Sequence, residues 1–177
     1  TYHQGLGNNY KLELNSSNAQ DSDGSFMNGT LPTSSVFTVG ASVNTNGSGS
    51  NYVAYCFAEK QGYSKFGKYV GNGSNNGAFV YTGFKPAFVM LKRSNTTSNW
   101  IIMDNKRNTF NEMESRLFPN LSNAEQTQST YGLDFLSNGF KLRDTVSQSN
   151  GSGSTYIYMA FAENPFVTST GIMGTAR

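Results

Sequence analysis

Two glutamates occupy matching places in the chain and are the first residues to consider for chemistry. Glu59 follows the run YVAYCFA, and Glu163 follows YIYMAFA. Glycoside hydrolysis needs two carboxyl groups about 5 to 10 Å apart in different environments. Residues in repeated contexts more often make the same structural contact twice. We therefore expect each Glu to end a strand and to pair with a turn or a nearby Lys or Arg, and we predict no catalytic residue.

Other candidate reactive groups have simpler structural interpretations. His3 is the single histidine, and nothing in the sequence brings a Ser, an Asp or Cys56 to it, so we expect it at a strand end. The DSDG run at 21–24 is similar to the opening of a calcium loop, but Pro32 stands where that loop requires Glu. The GNGSNNG run at 71–77 precedes a strand pattern, whereas a phosphate cradle precedes a helix. Both runs are expected to be turns, and no metal or cofactor is predicted.

A glycan contact is the one binding function that the residue types suggest. Trp100 could pack against the apolar face of a sugar ring, and Asn95 and Asn99 could bond its hydroxyls. Trp100 also belongs to the apolar run WIIM, and the core is the more frequent place for such a residue. Both interpretations stay open at this point.

The composition indicates a folded, turn-rich β protein. Asn, Ser, Gly and Thr make up 78 of the 177 residues, while 13 Phe and 10 Tyr supply surface for a core. A net charge of +2 from scattered basic residues argues against nucleic-acid binding. No apolar run approaches the ~20 residues of a membrane span, so membrane insertion is not expected. The single cysteine, Cys56, excludes an internal disulfide framework.

Strand patterns recur between Gly, Asn and Ser clusters, and no long window has a helical period. Residues 79–81 predict a short strand, and 88–92 with 100–103 predict a hairpin closed by the loop RSNTTSN. The runs at 52–58 and 156–162 both predict central strands covered on two sides. In the second run we expect the bulky face to fill the core, namely Ile157, Met159 and Phe161. Residues 111–118 are the one candidate for a short helix.

The sequence predicts an internal duplication. NGSGSNYVAYCFAE at 46–59 and NGSGSTYIYMAFAE at 150–163 align at an offset of 104, and LELNSSNA at 12–19 parallels LFPNLSNA at 117–124. We therefore expect a first module over 1–63 and a second over 64–177. The two modules could share one continuous sandwich. Roughly forty residues at the start of the second module have no counterpart in the first, so we expect a longer parent polypeptide or another element that covers their place.

Four motifs carry a resemblance to a known family: YVAYCFAEKQGYSKFGKYVGNG, FVYTGFKPAFVMLKR, LSNGFKLR and AENPFVTSTGIMGTAR. With them the chain resembles the C-terminal repeat module, a domain of unknown function, of virion and tail-fibre-like proteins of marine bacteriophages. Members of that family usually have Pro where Met173 stands. The resemblance implies a virion location and an appendage architecture, and it supplies no catalytic residues.

We therefore expect an all-β, antiparallel, jelly-roll-like β-sandwich built from two modules. The expected function is structural, in a phage tail fibre or capsid-attached appendage on the particle surface. Its expected partners are other virion proteins, copies of itself and host-surface glycans. The alternatives are a polysaccharide depolymerase and a capsid decoration protein without a ligand.

Overall fold

The computed structural model describes residues 1–164, 166–167 and 173–174, and these residues are almost entirely strands, turns and loops. A 3-10 turn covers Gln4–Leu6, and the one short helix in this part of the chain, α1, covers Val43–Asn46. The strands are β1 Tyr10–Lys11, β2 Asp21–Ser22, β3 Ser64–Val70, β4 Phe79–Tyr81, β5 Pro86–Arg93, β6 Trp100–Asp104, β7 Ser115–Arg116, β8 Gln126–Thr127, β9 Leu133–Leu136, β10 Gly139–Leu142, β11 Thr155–Ala162, β12 Phe166–Val167 and β13 Met173–Gly174. Much of the closing motif at 162–177 lies outside the described residues.

Two antiparallel sheets form the body of the fold. The main sheet has the order β3-β11-β5-β6, and the second sheet has the order β4-β10-β9. The predicted hairpin is confirmed, because β5 pairs with β6 and Leu91 lies opposite Ile101. Pro86 is the first residue of β5, a position that tolerates its missing N–H. The prediction of an all-β antiparallel fold is therefore confirmed.

The main core contains side chains from both sheets. Tyr69 of β3 stacks on Tyr156 of β11 with ring centroids 5.0 Å apart, and Phe140 of β10 meets Tyr158 edge-on at 5.3 Å. The remaining strand residues of this cluster are Val80, Val89, Leu91, Ile101, Met103, Leu133, Phe135, Leu142 and Ala160. Two antiparallel sheets that share an apolar core have the architecture of a β-sandwich.

The face of β11 that enters this core is the opposite of the predicted one. The inward residues are Tyr156, Tyr158 and Ala160, not Ile157, Met159 and Phe161. Tyr156 can be fully buried because its hydroxyl lies at the rim, where it donates to the Ser147 carbonyl at 2.6 Å and accepts from the Gly151 amide at 2.8 Å. The predicted cover on both faces of β11 is confirmed, because Ile157, on the outer face, is also buried.

Residues 1–14 cover part of the outer face of the main sheet. A small apolar cluster lies there, made of Leu6, Leu12, Trp100 and Ile157. Hydrogen bonds fix the cover in place, because His3 donates from Nε2 to the Tyr158 carbonyl at 2.9 Å and Trp100 donates from Nε1 to the Glu13 carbonyl at 2.9 Å. His3 precedes the 3-10 turn and caps it, so the expected strand-end position is wrong.

A buried ion pair joins β7 to the turn that leads into β11. Arg116 and Asp144 are both fully buried and bonded to each other, and the guanidinium carbon lies 3.9 Å from the ring centroid of Tyr131. Ser149 donates to both oxygens of Asp144, at 2.9 and 2.8 Å, and Asn150 donates to its backbone carbonyl at 2.6 Å. The carboxylate thus organises residues 144–150 as well as neutralising the guanidinium.

Two local predictions are wrong. Residues 111–118 contain no helix; they run through turns into β7, and the Asn108 side chain accepts from the amides of Glu114 and Ser115. Residues 52–58 form no strand and are exposed, with Tyr55 at 85%. A strand needs partners for its backbone groups, and no strand of the described chain pairs with this run.

Two turns that lie 104 positions apart have the same hydrogen bonds. The Tyr52 hydroxyl donates to the Val43 carbonyl at 2.6 Å and accepts from the Gly47 amide at 2.8 Å. Tyr156 makes its two bonds to the residues nine and five positions before it, at the same two distances. The glycine three positions before each tyrosine is left-handed, with φ of 73° and 69°.

We predict that Asp144→Asn lowers the free energy of unfolding by roughly 3–5 kcal/mol, because it leaves a buried guanidinium without its counter-charge. Urea denaturation at neutral pH measures the change. Glu125→Gln is the matched control, since it removes the carboxylate of a half-exposed pair with Arg107 and should cost less than about 1 kcal/mol. Equal losses in the two variants would contradict the prediction.

We predict that Lys92→Met stabilises the chain at pH 7, by on the order of 1–3 kcal/mol. Burial, assisted by the charge of Arg93, lowers the pKa of Lys92 to about 8, whereas a Lys in the unfolded chain titrates near its ordinary value. At pH 7 Lys92 is protonated in both the folded and the unfolded state, and burial of its ammonium group destabilises the folded state. Between about pH 8 and 10 the unfolded state binds a proton that the folded state has released, so wild-type stability rises with pH.

Urea denaturation at pH 7 and pH 9.5 tests this linkage. The advantage of Lys92→Met should shrink at the higher pH, because folded wild type is then neutral at this position. Lys68→Met is the matched control, since Lys68 also lies opposite Ile157 and on the same face of the sheet, but is exposed on the edge strand β3. A stability advantage of Lys92→Met that is equal at both pH values would refute the lowered pKa of Lys92.

Candidate functional site

An open cleft of about 390 Å³ lies beside the end of β11. Its polar lining residues are Lys85, Asn105, Lys106, Thr109, Asn111 and Glu163, and its apolar ones are Phe110, Met113 and Phe135. Met113 and Phe135 belong to the main core, so the floor of the cleft is the edge of that core. The cleft therefore combines an apolar base with polar walls.

Glu163 is held in one orientation at the wall of the cleft. One carboxylate oxygen pairs with Lys85 Nζ at 2.7 Å, and the other accepts from Asn105 Nδ2 at 2.7 Å. Its backbone amide also donates to the Lys85 carbonyl at 2.9 Å. The end of β11, the start of β5 and the residue after β6 are thereby tied together. Each carboxylate oxygen keeps lone-pair capacity for a further donor.

The loop between β6 and β7 is pinned on both sides of its tip. The Asp104 carboxylate accepts from the amides of Lys106 and Arg107 at 2.9 and 3.1 Å, an Asx-type turn. Asn111 Nδ2 donates to the Phe135 carbonyl at 3.1 Å, and its Oδ1 accepts from the Phe135 amide at 3.0 Å. Residues 109–110 form the tip of the loop and lie between these two anchors.

Phe110 is the exposed aromatic of this tip. Its side chain is 83% exposed and lines the cleft. A ring exposed to this extent is open to contact by a ligand. Beside it, the side chains of Lys106 and Thr109 make no hydrogen bond to the described residues. The site thus offers a flat apolar ring next to free donors and a fixed carboxylate.

The three residues that the sequence offered for a glycan contact lie elsewhere. Trp100 is 3% exposed, so its indole has no open face for a sugar ring, and its surroundings support the core interpretation. Asn95 accepts from Arg93 Nε at 3.4 Å, and Asn99 accepts from Asn120 Nδ2 at 2.9 Å. The two asparagines therefore belong to the loop beside Trp100 and not to the cleft.

The two glutamates that follow the similar runs at 52–58 and 156–162 make separate structural contacts. Glu59 pairs with Lys65 at 3.0 Å and accepts from Gln4 Nε2 at 2.8 Å, whereas Glu163 pairs with Lys85. Burial alone would raise the pKa of Glu59, but its hydrogen bonds to Lys65, Phe66 and Gln4 outweigh burial and hold the pKa below its ordinary value. The expectation of a strand-end ion pair is met at Glu163.

His3 is committed to the backbone through both ring nitrogens. Nε2 donates to the Tyr158 carbonyl, and Nδ1 accepts from the Gly5 amide at 3.0 Å. Burial lowers the pKa of His3, although the Tyr158 carbonyl and Glu59 act to raise it. This arrangement suits a neutral imidazole that fixes the N-terminal cover to β11.

Metal-ligating residues do not gather in the part of the chain that the structure describes; no group of three His, Cys, Asp or Glu is arranged to hold an ion there. Among the same residues, no helix has the length and apolarity needed to cross a membrane.

Phe110 was missed because nothing in NTFNEM distinguishes an exposed aromatic from a buried one. The signals that could have located the loop are Asp104 and Asn108, two residue types whose side chains bond nearby backbone amides. They mark a turn-rich connection, whereas our interpretation favoured a helix. The neighbours of the tip come from distant parts of the sequence, which only the fold brings together.

Comparisons with known proteins give a family without a described activity. No curated protein and no solved structure matches the chain. One family model, Domain of unknown function (DUF7483), matches residues 1–165. Because this match spans most of the chain, the protein belongs to that family.

Proposed function

We propose that this chain is a structural module of a bacteriophage virion, in a tail fibre or in an appendage attached to the capsid, and that it contacts glycans of the host surface. The virion location rests on the resemblance carried by the four quoted motifs, the longest of which runs from 52 to 73. An antiparallel β-sandwich with a surface rich in Asn, Ser, Thr and Gly suits assembly with other virion proteins and with copies of itself.

The observation that carries the glycan contact is the cleft beside β11. Phe110 presents an open ring, and Lys106, Thr109 and the Glu163–Asn105 pair present hydrogen-bonding groups within the same cleft. A pyranose has apolar faces and a rim of hydroxyls, which matches a ring flanked by donors and acceptors. We place the proposed contact here and no longer at Trp100, Asn95 and Asn99.

We further propose that the chain is built from two repeat units, over 1–63 and 64–177. Support comes from the identical bonds of Tyr52 and Tyr156 and from the matching left-handed glycines of the two turns. A tyrosine that closes its own turn from nine residues away is a specific arrangement. Its recurrence at the sequence offset of 104 favours duplication over chance.

Virion location is tested by labelling intact particles with an antibody against this chain and imaging them by electron microscopy. Label along the tail fibres or on a capsid appendage would support the proposal. Label spread over the whole capsid lattice would favour decoration. Particles without label, from a host that produces the protein, would refute a virion location.

We predict that Phe110→Ala weakens glycan binding by about two- to tenfold, because one aromatic stacking contact contributes about 0.5–1.5 kcal/mol. A glycan array followed by calorimetry with the best binder measures the change. Tyr81→Ala is the matched control, since Tyr81 is also an exposed aromatic, at 63%, but does not line the cleft. Equal affinities of wild type and Phe110→Ala for that glycan would refute the site.

The same glycans test the enzymatic alternative. Incubation with the full chain, followed by measurement of new reducing ends, would reveal a depolymerase. Cleavage that disappears in Glu59→Gln or Glu163→Gln, with folding retained, would replace the structural proposal by an enzymatic one. Binding without cleavage is the expected result.

A further inference from the structure

Residues 52–58, here called the exposed segment, have the sequence of a sheet strand but pair with no strand of the described chain. Phe57 packs against Phe66 of β3 and Phe161 of β11. The run YVAYCFA exposes its large side chains to water, with Val53 at 80% and Tyr55 at 85%. Contiguous apolar surface of this kind marks an interaction site in a folded protein. We infer that the exposed segment is the central strand of a second sheet, and that its partner is a further repeat unit supplying two antiparallel strands of the β3 and β5 type.

The exposed segment is held at both ends, so its position is set before any partner arrives. At its start, Tyr52 closes the turn after α1 with the two bonds that Tyr156 uses at the start of β11. At its end, Ser64 donates to the Ala58 carbonyl at 2.8 Å. An extended run that is anchored at both ends loses less conformational entropy on docking than a free tail would.

β11 shows what such a strand requires. It pairs with β3 along one edge and with β5 along the other, and both of these strands precede it in the sequence. Cys56 corresponds to Ala160, which is fully buried, and Ala54 corresponds to Tyr158, which is 4% exposed. A partner with the β3 and β5 pattern would therefore bury the part of the exposed segment that is now in water.

A second copy of this same chain does not supply the required groove. In each copy the strands β3 and β5 are already joined to β11, so the position between them is filled. The outer edge of β6 is already bridged to Leu117 through Ile102. The outer edge of β3 could pair with one side of the exposed segment only, leaving its other backbone groups unpaired. The partner we infer is a unit whose β3-type and β5-type strands lack their own central strand.

The test uses Cys56 as a single-site probe, because it is the only cysteine and is exposed. A copy of residues 64–104, which contains no cysteine, is placed directly before Thr1 in the full chain. The copied Asp104 then immediately precedes Thr1. The copied β6 therefore precedes the exposed segment by the same number of residues as β6 precedes β11. The rate of Cys56 modification by a thiol reagent is then compared in the extended and unmodified chains.

We expect the extension to slow modification by about a hundredfold or more, because a central strand becomes accessible only through local unfolding. Ala54→Asp in the extended chain is the matched control. It places a charge at a position that becomes buried on docking, and should restore the fast rate. In the unmodified chain Ala54 is exposed, so the same substitution should leave folding unchanged.

An extended chain that is folded and monomeric but whose Cys56 reacts at the unmodified rate would overturn the inference. Protection of Cys56 in the unmodified chain that increases with protein concentration, together with a dimer mass, would assign the surface to a second copy instead. Should the extended chain fail to fold, a synthetic peptide of residues 64–104 added in excess to the unmodified chain gives a second measurement. No slowing by that peptide would also overturn the inference.

Discussion

A central strand must find hydrogen-bond partners on both edges, and the architecture of this chain depends on how β11 meets that requirement. β3 and β5 pair with it along nearly its whole length, and β6 extends the sheet beyond β5. Backbone pairing alone would not specify the register. The register is fixed because Tyr156, Tyr158 and Ala160 must enter the core together, and a slip by one residue would turn them outward.

The turn that leads into β11 is held by its own set of side-chain bonds. The ion pair of Arg116 with Asp144, and the bonds from Ser149 and Asn150 to Asp144, hold the approach, while the Tyr156 hydroxyl closes the last turn. A buried ion pair contributes little net stability in general but strongly penalises its own disruption. Loss of either partner would leave a buried charge beside the turn that leads into β11.

The exposed segment and β11 have closely similar sequences and different structures. Both follow a turn with the same tyrosine bonds, and both end near a glutamate that pairs with a lysine. The difference lies in the surroundings, because β11 enters a groove with a strand on each side and the exposed segment does not. This is why strand propensity, which reflects packing against neighbours, predicted one correctly and failed for the other.

The sequence alone determined the fold class, the hairpin of β5 and β6, the short strand β4 and the central place of β11. These features follow from local alternation, turn residues and the position of Pro86, all of which act over a few residues. Tertiary structure alone decided which face of β11 is inward, that Trp100 is covered, and that Phe110 lines one cleft with Lys85 and Glu163. These outcomes depend on contacts between residues distant in the sequence, and burial is a property of those contacts.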